Sequence, residues 1–138
     1  MSGVARNTGQ VRARRPRTLV RTAAALLLIS ATACDRSSRN LAALTGGNPD
    51  RGAVAIRQYG CGACHTIPGI RGADGLVGPP LTGIAERAYV GGVLTNTPEN
   101  LVRWIQNPPA VDPKTAMPNV GVTYSDAVDI AGYLYSRK

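Results

Sequence analysis

The segment Cys61-Gly62-Ala63-Cys64-His65 sets two thiols three residues apart, with an imidazole directly after the second. C-x-x-C-H is the attachment pattern of a c-type haem. Its spacing lets both thiols form thioethers with the two vinyl groups of one porphyrin, and it brings His65 under the iron as proximal ligand. Three other readings compete. A structural zinc site needs four ligands, and beyond Cys34 the chain offers only Cys61, Cys64 and His65 of the usual soft types. A redox dithiol of the thioredoxin kind belongs beside a βαβ pattern, which is missing here. A plain disulfide leaves the histidine without a purpose.

Outward from this motif, the flanking sequence reads as helices separated by long loops. Asn48-Pro49 supplies an N-cap and a first-turn proline, and Asp50 suits the positive helix end. Ala53, Ile56 and Tyr59 then form an apolar stripe on a helix that reaches about Tyr59, where Gly60 stops it. Residues 66–84 are rich in Gly and Pro and carry no periodicity. Thr97-Pro98-Glu99 opens a second helix, with Leu101, Trp104 and Ile105 on one face and Pro108-Pro109 as its end. After an irregular stretch over 110–121, Thr123 and Asp126 cap a third helix that buries Ile130, Tyr133 and Leu134, with Arg137 and Lys138 at its negative end. No segment alternates as a strand does. The expectation is therefore an all-α fold, three main helices with long loops wrapped around one covalent haem. Loops beyond about 12–15 residues are uncommon in compact domains without a functional reason, and a buried prosthetic group supplies one.

Elimination points to the sixth iron ligand. His65 is the only histidine, so bis-His ligation is impossible, and Met117 is the only methionine after the initiator. Methionine often serves as a core gap-filler. This one lies in the stiff loop Pro113-Lys114-Thr115-Ala116-Met117-Pro118, poor surroundings for a core residue. His/Met ligation is an electron-transfer arrangement in which the thioether raises the reduction potential.

The first 33 residues differ from the rest. Arg6, Arg12, Arg14, Arg15, Arg17 and Arg21 precede an apolar run around Ala23–Ile29 that ends in Ala31-Thr32-Ala33. A basic start, a short apolar centre and a small-residue exit mark an export signal over 1–33. The run is about a dozen residues long, short of the roughly 20 that a membrane-spanning helix needs; an uncleaved anchor is the alternative. Arg14-Arg15 also invites a twin-arginine reading, but its surroundings fit poorly. The leader explains the chain's net charge of +8. From Cys34 onward ten Lys and Arg face eight Asp and Glu, a net +2. Nucleic-acid binding, which a strongly basic chain would suggest, is not expected. Ala31-Thr32-Ala33-Cys34 resembles the lipobox of bacterial lipoproteins, although that family usually has Leu where Ala31 stands. The resemblance makes Cys34 a lipid anchor to the membrane, with residues 34–47 holding that cysteine and a flexible tether.

Residues 48–138 resemble class I cytochrome c from the first helix to the last. Gly78-Pro79-Pro80-Leu81 is similar to that family's Gly-Pro-x-Leu, which implies that the Pro79 carbonyl accepts the His65 Nδ1–H and that Leu81 borders the haem. Leu101-Val102-Arg103-Trp104-Ile105-Gln106-Asn107-Pro108 resembles the helix before the methionine loop. The likeness places Trp104 beside the Met ligand, Thr115 on a propionate and Arg87 near the propionates. Gly52 and Ile56 with Tyr133 and Leu134 resemble the helix crossing of the fold. There are departures. The chain has no Phe, the stretch from His65 to Pro79 is longer than in the mitochondrial type, and Lys is nearly absent, so a partner that reads a lysine ring is not expected. The phrases at 95–100 and 112–113 look closest to bacterial cytochromes associated with haem-copper oxidases. What the resemblance implies is a non-enzymatic single-electron carrier in a bacterial respiratory chain. It would be exported to the periplasm or the outer membrane face, with redox proteins, including a haem-copper oxidase, as donor and acceptor. A peroxidase-like enzyme and a haem gas sensor are the rivals, and both need an open or displaceable sixth site.

Overall fold

Proline and small polar residues decide where the helices begin. The computed structural model describes residues 43–137; the expected export signal, Cys34, most of the tether and Lys138 lie outside them. Helix α1 spans Pro49–Gln58, and the Asn48 side chain accepts from the Asp50 and Arg51 amides at 2.9 and 3.1 Å. Tyr59 caps its other end, and Gly60 follows at φ 70°, a left-handed turn that a side chain would strain. Helix α2 spans Pro98–Gln106, with the Thr97 hydroxyl accepting from the Asn100 amide. The described residues also hold a four-residue helix α3, Pro108–Val111, and a long helix α4, Tyr124–Tyr135. Thr123 caps α4 reciprocally: its hydroxyl accepts from the Asp126 amide and donates to the Asp126 carboxylate.

Two features depart from the sequence expectation. Pro108-Pro109 does more than end α2. Having no amide hydrogen to donate, these residues suit the first turn of a helix, and α3 starts on them. A two-stranded antiparallel ribbon, β1 (Tyr89–Val90) and β2 (Leu94–Thr95), pairs Tyr89 with Thr95 and Val90 with Leu94. Strands of two residues are too short to alternate, so no pattern announces them. The fold is helix-rich with this small sheet.

Helix α4 is the spine. Ala127, Asp129, Ile130, Ala131, Gly132, Tyr133, Leu134 and Tyr135 are all buried, because both α1 and α2 pack on it. The expected crossing is present: Gly52 of α1 lies against the Asp129 carbonyl and the Tyr133 Cβ. An ion pair marks the same joint. Asp129, only 5% exposed, accepts from Arg51 Nε (2.6 Å), Arg51 Nη2 (3.0 Å) and the Asn48 amide (2.6 Å). The Arg51 hydrogen bond, helped by the Asn48 amide, holds this carboxyl below its ordinary range despite burial. Tyr59 ties the end of α1 to the start of α4 through a 2.7 Å bond to Asp126. The tether was expected to run to Gly47. Of its described residues, Thr45 and Gly47 lie close to Gly132 of α4. Arg137 sits with its guanidinium 4.6 Å from the Tyr133 ring centre, a cation–π contact at the helix end.

Candidate functional site

After Gly60 the chain turns through a single 3₁₀ turn, Cys61–Ala63, and the Cys64 and His65 amides both donate to the Cys61 carbonyl. That turn brings Cys61, Cys64 and His65 to one side. The following Gly/Pro-rich stretch is stitched to it. Gly75 N–H donates to Gly62 O (3.1 Å), Gly78 N–H to Cys64 O (2.8 Å) and Leu81 N–H to Thr66 O (2.9 Å). Thr66 Oγ1 donates to Gly75 O, and Tyr133 of α4 donates to Pro68 O at 2.7 Å. A loop without periodicity is thus held by specific bonds, with Ile67, Ile70 and Ala73 buried beneath it.

The site is a cavity of about 360 Å³, within the roughly 300–1,000 Å³ of small-molecule and cofactor pockets. Ile56 of α1, Leu101, Trp104 and Ile105 of α2, and Ile130 and Leu134 of α4 form its helical walls. Ile67, Ile84, Val90 and Val122 complete them from the loops and the ribbon. Cys61, Cys64, His65, Pro79, Leu81, Arg87, Trp104, Thr115 and Met117 all line this one cavity, so the structure brings together all nine cofactor residues expected from sequence. Cys34 is outside the described residues.

His65 has a defined tautomer. Its Nδ1 lies 2.7 Å from the Pro79 carbonyl oxygen. A carbonyl only accepts, so the proton is assigned to Nδ1 and the Nε2 lone pair stays open for coordination. Gly78 makes room for the ring: a Cβ there would come within 2.3 Å of His65 Cε1 and 2.6 Å of Nδ1. Cys61 and Cys64 are free thiols, and burial pushes the Cys61 thiol up. No protein-family model matches the chain, and no solved structure matches it. It is similar to one curated protein, cytochrome c oxidase subunit 2 of Alkalihalophilus pseudofirmus (strain ATCC BAA-2126 / JCM 17055 / OF4). The two are 30% identical over 90 residues, covering 64% of this chain and 25% of that one. The chain therefore spans about a quarter of the relative's length.

Trp104 is half-buried, and Met117 is half-buried between the exposed Ala116 and Pro118. The Thr115 hydroxyl accepts from the Met117 amide at 3.2 Å and still carries a proton to donate. Arg87 borders the cavity, but its guanidinium donates to the backbone carbonyls of Pro80 and Thr82. Sequence reasoning missed that use of Arg87. It also missed Asn96, whose amide holds the Ile84 and Arg87 carbonyls at 2.7 and 2.8 Å. The loop and ribbon walls Val77, Val90 and Val122 carry no sequence signal either. Among the described residues no three or more His, Cys, Asp and Glu side chains converge to hold a metal ion. No helix of the described residues is long and apolar enough to cross a membrane.

Proposed function

We propose that residues 48–138 form a monohaem cytochrome c domain of class I type that carries single electrons. The observation behind this reading is one apolar cavity lined by two free thiols, a thioether and an imidazole whose Nε2 is left open by the Nδ1–Pro79 bond. That donor set fits haem c. Cys61 and Cys64 would each add S–H across a vinyl group, the hydrogen passing to the vinyl carbon, so attachment needs no oxidant. His65 and Met117 would ligate the iron, Trp104 and Leu81 would border the group, and Thr115 has a proton to offer a propionate. When bound, the haem would supply a one-electron iron couple, and the chain's residues would fix its ligands. With both His65 and Met117 ligating it, the iron would offer no site for substrate, so the domain is read as a carrier and not an enzyme.

The likeness to an oxidase subunit supports a respiratory setting. We take the partners to be redox proteins, with a haem-copper oxidase as acceptor, and we take Cys34 to be the lipid attachment point on the outer membrane face. The test of the carrier reading is an optical spectrum of the reduced protein with and without carbon monoxide. The parent should not bind the gas, whereas Met117→Ala should bind it and have a lower potential. A parent that binds carbon monoxide readily would favour a gas sensor or peroxidase-like protein instead.

A further inference from the structure

The segment that carries the Pro79 carbonyl has an unusual weakness. Pro79 and Pro80 have no amide hydrogen, and both are exposed. Gly78 N–H to Cys64 O and Leu81 N–H to Thr66 O tie down its two ends, and between them there is no amide to donate. Its carbonyls are held from outside by Arg87, whose guanidinium donates to Pro80 O and Thr82 O. Arg87 is itself anchored. Asn96 Nδ2 donates to the Arg87 and Ile84 carbonyls, fixing the 3₁₀ turn Ile84–Glu86 and the residue after it. Asn96 Oδ1 in turn accepts from the hydroxyl of Tyr135, which is 4% exposed at the end of α4. A continuous series of hydrogen bonds thus leads from the rigid spine helix to the peptide next to the one that holds His65.

We propose that Arg87, set by Asn96 and Tyr135, is a positioning residue for the His65–Pro79 hydrogen bond. Through that bond it controls how electron-rich the imidazole is at the iron. This rests on the haem reading above and replaces the expected contact between Arg87 and the propionates. A strong Nδ1–H···O bond makes the ring a better donor and favours ferric iron. Loosening the clamp weakens the bond and moves the potential upward.

Arg87→Lys keeps the charge but replaces the planar guanidinium, whose Nη2 donates to both carbonyls, with a shorter side chain ending in a compact ammonium. Asn96→Ala and Tyr135→Phe change no charge, and neither residue lines the cavity. Redox titration of the haem-loaded full chain should show upward shifts in all three variants, largest for Arg87→Lys. NMR of the reduced protein should show faster solvent exchange of the His65 Nδ1 proton in the same order. Tyr135→Phe removes a single hydroxyl and so guards against misfolding of the stronger variants. Unchanged potential and exchange in three haem-loaded variants would overturn the clamp and leave the haem reading intact. A parent without covalent haem would overturn the haem reading itself.

Discussion

Gly52→Ala sets two effects against each other, and the structure decides between them. In an isolated helix the change is favourable by about 0.8–1 kcal/mol, because Ala is the better helix former. In this protein a Cβ at position 52 would sit 2.1 Å from the Asp129 carbonyl oxygen, 2.7 Å from its carbon and 2.9 Å from Tyr133 Cβ. Ordinary contact begins near 3.4 Å. Two of the three obstructing atoms are helix backbone, so no side chain can rotate aside. Helix α1 must retreat from α4 by roughly an ångström, and a radial gap of that size forfeits a quarter to a half of each dispersion contact. The contacts at stake belong to Ile56, Tyr133 and Leu134, each 1–3% exposed. Overpacking of this kind costs about 1–3 kcal/mol, and rigid neighbours place it near the upper end. Subtracting the helix-propensity gain leaves a net loss of about 2 kcal/mol. Urea unfolding of the haem-loaded protein should show a lower midpoint with an unchanged slope. Ile56, Ile130 and Leu134 also wall the cavity, so haem retention under denaturant should fall in parallel. A variant as stable as the parent would refute the claim that the α1–α4 crossing is closed at Gly52.

Acid should destabilise the domain through Asp129 and Asp126, whose carboxyls are both held below the ordinary value, by the Arg51 hydrogen bond for the first and the Tyr59 and Thr123 hydroxyls for the second. A depressed carboxyl contributes stability that is complete above its ordinary value near 3.8 and is lost as pH falls through the folded value. The fall should therefore begin below about pH 5 and steepen below 4, and Asp129→Asn should flatten it; identical acid profiles for parent and variant would contradict this. Cys34→Ser should move the haem protein from the membrane pellet to the soluble fraction, whereas retention in the pellet would point to an uncleaved apolar segment as the anchor.

The helices were readable because their ends are written in side-chain chemistry. Asn48, Thr97 and Thr123 are caps, and each is followed by the pattern that buries one face. The candidate site was legible for a different reason: the chain has a single histidine and one internal methionine, so composition alone narrowed the candidate ligands to one pair. What stayed hidden depends on tertiary context. The β1–β2 ribbon is too short for a period, and α3 begins where a proline pair reads as a stop. Arg87 could be placed near the cavity by resemblance, but its bonding to Pro80 and Thr82 depends on how the loop folds back. Asn96 looks like any turn residue until Tyr135, 39 positions away, is seen to donate to it. The cavity walls contributed by Val77, Val90 and Val122 come from loops and ribbon, where no helical stripe marks an inward side.

The proposed carrier role depends first on Cys61 and Cys64 together holding one haem covalently. The direct measurement is the intact mass of the protein produced in a host with a cytochrome c maturation system, taken after extraction with acidified acetone. A single species heavier than the polypeptide by one haem is expected, reduced in yield by Cys61→Ser or Cys64→Ser and lost when both are replaced. A parent whose haem extracts freely, or whose mass is that of the bare polypeptide, would contradict it.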